Sequence, residues 1–482
     1  MTRFNKNLKN KSKKTLNYAG GEAYEETPKL ELTSIALTSF LKDQFYRSAN
    51  DTYTKIIELC NTIEDKEFIA KLAVYARNIH GIRTVSHVLA GEIARMVKNE
   101  EWTKEFFYHV IHRPDDMAEI LAYYLLKYGK PIPNAMKKGF ANAFSKFDEY
   151  QLAKYRGEGN SIKLIDIANL VHPMPTAKNA LALKKLVDGE LVSKDTWESE
   201  LTKAGQKAET ENDKLELKAN VWINLVKERR IGYFALLRNL RNIIQQCPDI
   251  IPDVCDMLMD GDLIRNSMVL PFRYLAALKA LSTIDGASRV VKAINVALEI
   301  SVANVPSLPD TVVVIDKSGS MGHSIDFDSP LNKAALFGAI LAKKNDSDIV
   351  VFANTAHYLT LNTDDSLLTL THQIANDPFS GGTNFHSIFR TLTKPYRRII
   401  ILSDEQGWVE YNTPTKDLAE YSKKFNCNPY IYSFDLTGYG QLQFPENRVC
   451  ALAGISEKIF DIMKLVEADK RALIHTIESM SF

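Results

Sequence analysis

Residues Val312 to Met321 read Val-Val-Val-Ile-Asp-Lys-Ser-Gly-Ser-Met, and no other stretch constrains the fold as strongly. A run of β-branched residues stops abruptly at Asp316-x-Ser318-x-Ser320. A run that is apolar at every position, not at alternate ones, belongs to a strand buried on both faces, as in parallel sheets covered by helices. Such a strand delivers its C-terminal loop to the edge where open α/β sheets bind ligands. One carboxylate and two hydroxyls on alternate loop residues are hard oxygens suited to a small divalent cation such as magnesium. The competing reading is that Asp316 and Ser318 cap the next helix.

The sequence downstream alternates in the same way. Arg398 to Asp404 is a second apolar strand ending in a carboxylate, and Gly381-Gly382-Thr383-Asn384 carries a threonine in a flexible loop. Asp348 to Phe352 and Pro429 to Phe434 are further apolar runs, after helical stretches at Asn332 to Lys343 and Lys416 to Phe425. Lys458 to Ile462 is expected as the last strand, with a helix from about Met463. Strands alternating with helices predict a doubly wound parallel sheet over residues 310–482. The ordered set resembles the metal-ion-dependent adhesion site of von Willebrand factor A domains. That resemblance assigns Asp316, Ser318, Ser320, Thr383 and Asp404 as ligands of one magnesium ion. It also implies an open coordination position for an acidic group of a partner.

Composition narrows the class. At 482 residues two or more domains are expected. The net charge of +1 gives no global field favouring nucleic acid, so any basic surface is a local patch. Cys60, Cys247, Cys255, Cys427 and Cys450 form no Cys-x-x-Cys pair, and an odd, scattered set suits reduced, buried thiols in a cytoplasmic protein. Residues 1–29 form a basic arm and entry segment. Arg3, Lys6, Lys9, Lys11, Lys13 and Lys14 are followed by no apolar core of a signal peptide, so the arm reads as a solvated tail or an RNA-contacting one. No segment approaches eighteen uninterrupted apolar residues, which argues against a membrane span.

Between them, residues 30–303 read as helices. Phe68, Leu72, Tyr75, Ala76 and Ile79 share one helical face, with Asp65 as the expected N-cap. Similar stretches recur at Leu32–Leu41, Tyr53–Cys60, Ser86–Val97, Met117–Tyr128, Trp222–Asn242, Leu270–Leu281 and Ala287–Val302. Many helices without convincing strands predict an α-solenoid of HEAT-like helix pairs. Residues 304–309, with Pro306 and Pro309, form a short stiff linker.

Several strings in this chain resemble the TROVE family, that of the Ro 60 kDa ribonucleoprotein autoantigen. They are Asn17-Tyr18-Ala19-Gly20-Gly21-Glu22-Ala23-Tyr24, Leu72 to Arg77, Phe147 to Arg156, Asp166 to Pro173, Ala235 to Asn242 and Leu270 to Tyr274. Met174 departs from the pattern, which has a basic residue after His-Pro. The resemblance implies a monomeric ring of helical repeats closed by the C-terminal domain. It implies binding of small non-coding, Y-like RNA and of single-stranded ends of misfolded RNA, in ribonucleoprotein assembly or RNA quality control.

The residues themselves offer basic groups: Lys137-Lys138, Lys154-Tyr155-Arg156, Lys227 to Arg230, and Arg238 with Arg241 on one helix face. Such groups neutralise phosphates, and Tyr155 offers a ring for a base. The alternative is a solvated face paired with acids such as Asp148, Glu149 and Glu228. With the resemblance, Lys137, Lys138, Lys154, Tyr155, Arg156, His172, Arg238 and Arg241 are the expected RNA contacts. There is no phosphate loop, His-Glu-x-x-His or Gly-x-Ser-x-Gly. His323 and Glu405 lie near the metal loop without diagnostic spacing, so no enzyme is expected. Two other classes stay open: a scaffold whose metal site docks an acidic protein partner, and a metal-dependent nuclease.

Overall fold

The structure, a computed structural model, describes residues 14–17, 19–25, 27–38, 49–191, 197–323, 329–410, 413–437, 441–444, 450–453, 460, 463–464, 467 and 472–482. Most of the basic N-terminal arm therefore lies outside the described residues. The strands are β1 (Lys14–Leu16), β2 (Glu22–Glu25), β3 (Thr311–Asp316), β4 (Asp348–Phe352), β5 (Ala356–Leu359), β6 (Arg398–Ser403), β7 (Tyr430–Asp435), β8 (Gln441–Leu442) and β9 (Cys450–Ala453).

The chain forms two compact units. The first joins the described residues of 1–85 to those of 308–363 and 370–481, so its division is not the one suggested by order in sequence. The physical reason is pairing across the chain. Strand β2 is antiparallel to β8, with Tyr24 opposite Leu442, and Lys29 Nζ donates to Glu478 Oε1 at 2.6 Å.

In this unit a six-stranded sheet runs β5-β4-β3-β6-β7-β9. This is the doubly wound, mainly parallel sheet, with one antiparallel edge. Strands β3, β4, β6, β7 and β9 are parallel, but β5 returns antiparallel to β4 through a tight turn. The expected last strand at Lys458–Ile462 lies outside the described residues except for Phe460, which is helical, and β9 pairs beside β7. Strands β3 and β6 are buried at every position, as their uninterrupted apolar runs require.

Helices cover both faces. On one, Val312, Val314, Ile399 and Ile401 pack with Phe385, Ile388 and Phe389 of the helix Phe385–Thr391. On the other lies the helix Pro330–Asn345, begun by the Ser329 side chain accepting from Asn332 N. Gly338 brings this helix close: a Cβ there would stand 2.8 Å from Ile315 Cδ1.

The helix Lys66–Asn78 of the same unit starts as expected, with the Asp65 carboxylate accepting from Phe68 N at 3.0 Å.

The second unit, residues 86–307 with 364–369 and 482, is a helical-repeat array in which helices pack on near neighbours in sequence. Gly139 of the helix Asn134–Ala143 lets it approach the helix Trp102–Val110, since a Cβ would lie 2.3 Å from Phe107 Cβ. Buried Asp116 receives His112 N at 3.0 Å and Arg113 N at 2.9 Å, and lies 3.0 Å from His87 Nε2. The single helix expected over Trp222–Asn242 is two, Glu211–Lys227 and Tyr233–Gln246. The chain breaks where Arg229 takes a left-handed φ of 52°, just before Gly232.

Candidate metal centre and nucleic-acid surface

Strand β3 lies at the point where the sheet order reverses. The chain leaves it for β4 on one side and returns to β6 on the other. Loops at such a switch point splay apart and leave a crevice at the C-terminal strand ends. Asp316 closes β3 and Asp404 follows β6, so both carboxylates rim that crevice, and both are fully buried.

The loop after β3 is pre-shaped. Asp316 Oδ1 accepts from Ser318 N at 2.8 Å, and its Oδ2 accepts from Ser403 Oγ at 2.6 Å. The Ser318 and Ser320 hydroxyls stand 3.2 Å apart. Thr383 is buried, and its carbonyl accepts from Trp408 N at 3.1 Å and Val409 N at 3.3 Å. A bridge between Ser318 and Gly381 joins the two loops, and Gly382 N donates to Asn354 Oδ1 at 2.9 Å. The described backbone thus gathers the loops that carry all five sequence-predicted ligands. Gly382 is needed as glycine, because a Cβ would meet Trp408 Cζ2 at 2.6 Å and Asn354 Oδ1 at 2.9 Å.

The electrostatics suit a cation. Burial pushes the Asp316 carboxyl up to about 6, with the Ser403 and Ser318 bonds drawing it back. Burial, then the Asp316 charge, pushes Asp404 up to about 7, and the Ser320 hydroxyl offsets part of this. Asp404 Oδ2 is buried with no hydrogen-bond partner. Lys317, the nearest basic residue in sequence, points elsewhere: its Nζ caps a helix through the carbonyls of Ala375 at 2.5 Å and Ile374 at 3.3 Å. Among the described residues no Lys, Arg or His pairs with Asp316 or Asp404. Two buried carboxylates, one with an orphaned oxygen, beside two hydroxyls fit a hard cation. Among the described residues no three His, Cys, Asp or Glu side chains gather into a metal cluster, so a cation here needs the hydroxyls.

Glu405 is buried too, with φ 61°, and burial pushes it up to about 8. Ser433 Oγ donates to it, and Gln443 N donates to its Oε2 at 3.2 Å. It is a fixed internal acid, whereas His323 is exposed. Sequence reasoning missed Asn354 and Trp408, and took Asn17 only as part of a family string. Asn17 Nδ2 donates to Gly407 O, and Gly21 packs on the same peptide, where a Cβ would meet Gly407 O at 2.1 Å.

The basic residues fall in separate places of the second unit. Lys138 is exposed and Lys137 half-buried on the helix Asn134–Ala143. His172 is exposed and ends the helix Leu164–Val171 in a left-handed conformation. It lines a hollow of about 340 Å³ with Glu105, Tyr108, Asn142, Ser145 and Met174. Tyr155 lies under the Arg113 guanidinium, 4.4 Å from its ring centroid, and Lys154 Nζ is 5.9 Å from that ring. Arg156 is engaged internally: Nη1 donates to the Leu191 carbonyl and Nη2 lies 3.1 Å from Glu158 Oε1. Arg238 and Arg241 are exposed on the helix Tyr233–Gln246 and form no ion pair among the described residues.

The chain is 23% identical over 341 residues to telomerase protein component 1 of Mus musculus, and equally so to that of Rattus norvegicus. Each match covers 54% of this chain but only 13% of the relative's length. The crystal structure of the Deinococcus radiodurans Ro (RSR) protein superposes with a TM-score of 0.63 at 18% identity, covering 89% of this chain and 97% of that one. That likeness is one of fold, a helical-repeat part and an α/β part in one chain. The model of the TROVE domain matches residues 25–214 and 190–295, more than half of the sequence, and the chain belongs to the TROVE domain family.

Proposed function

We propose that the protein binds RNA through its helical-repeat unit, acting in ribonucleoprotein assembly or RNA quality control. Membership of the TROVE family carries this reading. The surface supports it: Lys138, His172, Arg238 and Arg241 are exposed cationic or polar groups, and none is consumed by an ion pair among the described residues. Small non-coding RNA and the single-stranded ends of larger RNAs are the expected ligands, held mainly through phosphates. The experiment is to purify the protein, measure its absorbance ratio at 260 and 280 nm, and sequence what co-purifies. Nucleic-acid-free protein with no affinity for single-stranded or hairpin RNA at low salt would overturn the reading.

A second reading concerns the crevice, favoured by the orphaned Asp404 Oδ2. Asp316, Ser318, Ser320, Thr383 and Asp404 would hold one magnesium ion, which on binding would neutralise the buried carboxylates. Ser403 orients Asp316, and the Trp408 and Val409 amides fix the Thr383 loop. The site is one for docking an acidic partner group rather than for cleavage. Glu405 is sequestered by Ser433 and Gln443, which argues against it as a base for attacking water. Calorimetric titration of magnesium into the parent and into Asp316→Ala tests it, with equal affinity refuting the assignment.

A further inference from the structure

Phe234 is a large apolar side chain, 40% exposed, on the second residue of the helix Tyr233–Gln246. Leaving a phenyl ring in water forgoes the stabilisation that burial would give, so its surroundings matter. Two guanidinium groups lie over it. Arg238, one turn along the same helix, lies 5.8 Å from the ring centroid, and Arg273, on the helix Phe272–Leu281, lies 5.5 Å away. Arg241 continues the basic row three residues on. The preceding residue anchors the helix start: the Tyr233 hydroxyl donates to Leu258 O at 2.9 Å and lies 3.0 Å from the Tyr274 hydroxyl. An exposed ring on a fixed helix start, with cations from two helices over it, presents an aromatic surface within a positive field that a base could share with the guanidinium groups.

We propose that Phe234 is a base-stacking platform for one nucleotide of single-stranded RNA, with Arg238 and Arg241 taking the adjoining phosphates. This rests on the RNA-binding reading above and adds a site separate from the hollow at His172. Single-stranded nucleic acid is recognised by this combination, because every base has a π-face and every linkage a charge. Arg238 and Arg241 have no carboxylate partner among the described residues, so they are available to phosphate. An acidic peptide would satisfy the arginines but would leave the ring without a flat partner, so RNA is favoured.

The test uses the full chain and a fluorescein-labelled 12-nucleotide single-stranded RNA, with a matched oligomer abasic at every position. Phe234→Ala should weaken binding of the normal oligomer roughly ten-fold while leaving the salt slope unchanged. It should leave the abasic oligomer's affinity unaltered, and Phe234→Tyr should retain parent affinity. Arg238→Ala should weaken both oligomers and lower the salt slope by about one. Equal losses on normal and abasic RNA, or no loss on either, would overturn the stacking role. If Lys138→Ala weakens RNA binding while Phe234→Ala does not, this site falls and the RNA reading stands. If the parent binds no RNA, both fall. Competition by poly-glutamate, without competition by RNA, would show an acidic polypeptide site instead.

Discussion

Replacing Asp404 by asparagine should change stability in opposite directions with and without magnesium. Asp404 is buried beside Asp316, has an unsatisfied Oδ2, and is held protonated up to about 7 instead of 3.8. That displacement corresponds to a penalty of at most about 4 kcal/mol on its charged form, and relaxation of the crevice will reduce it. The sign follows from proton linkage. A carboxyl whose folded-state pKa is raised binds more protons in the folded than in the unfolded protein between about pH 4 and 7, so stability falls as pH rises through that window. The metal-free parent should therefore have a lower urea midpoint at pH 8 than at pH 5 from this group, and Asp404→Asn should flatten the difference. In chelator at pH 8 the variant should be the more stable protein, by about 1–3 kcal/mol. With magnesium at a hundred times its dissociation constant, the parent should gain about 2.7 kcal/mol and the variant almost nothing. Urea unfolding followed by tryptophan fluorescence, at both pH values and in both conditions, reads all four numbers. A variant destabilised equally in chelator and magnesium would mean that Asp404 is a structural acceptor and not a cation ligand.

Gly338→Ala places a methyl group 2.8 Å from Ile315 Cδ1 and should cost about 1–3 kcal/mol through overpacking, read as a lowered urea midpoint. Asp65→Ala removes the cap on Phe68 N and should cost about 1 kcal/mol at neutral pH. The Lys29 and Phe68 bonds outweigh burial and hold the Asp65 carboxyl below its ordinary value, so this difference between parent and variant should fade as pH drops below about 4. Lys138→Ala should weaken binding of unrelated RNAs uniformly and lower the salt slope by about one, measured by fluorescence anisotropy. End-labelled RNA incubated with excess protein and magnesium should stay full length; shortening that disappears in Asp404→Ala would restore the nuclease reading.

The strands that build the crevice were readable because their residues are apolar on both faces. Strands β3, β4, β6 and β7 lie within a residue or so of where their runs place them. Strand β5, Ala-His-Tyr-Leu, was not readable: it is half-buried at every position, short, and carries no alternation. The break between Trp222 and Asn242 was hidden because helical apolar spacing continues across it, while the interruption is a backbone event at Arg229. Spacing also cannot report partners distant in the chain. Arg156 reads as a free cation beside Tyr155, yet it bonds the carbonyl of Leu191, 35 residues away. Asn17 reads as part of a family string, yet it holds Gly407, 390 residues away. Phe234 passed as one more apolar helix residue, since only the helix Phe272–Leu281 brings Arg273 to it.

The pairing of β2 with β8 has a consequence for biosynthesis. The first unit draws on both the beginning and the end of the sequence, with residues 86–307 made in between. At about 5–20 residues per second, the early segment emerges tens of seconds before its partner strand exists. During that interval the β2 edge lacks β8, while the helical-repeat unit, built from near neighbours, can form as it is made. Nascent chains halted near residue 300 should therefore hold folded repeats but an open N-terminal segment, the form of this protein most in need of a chaperone.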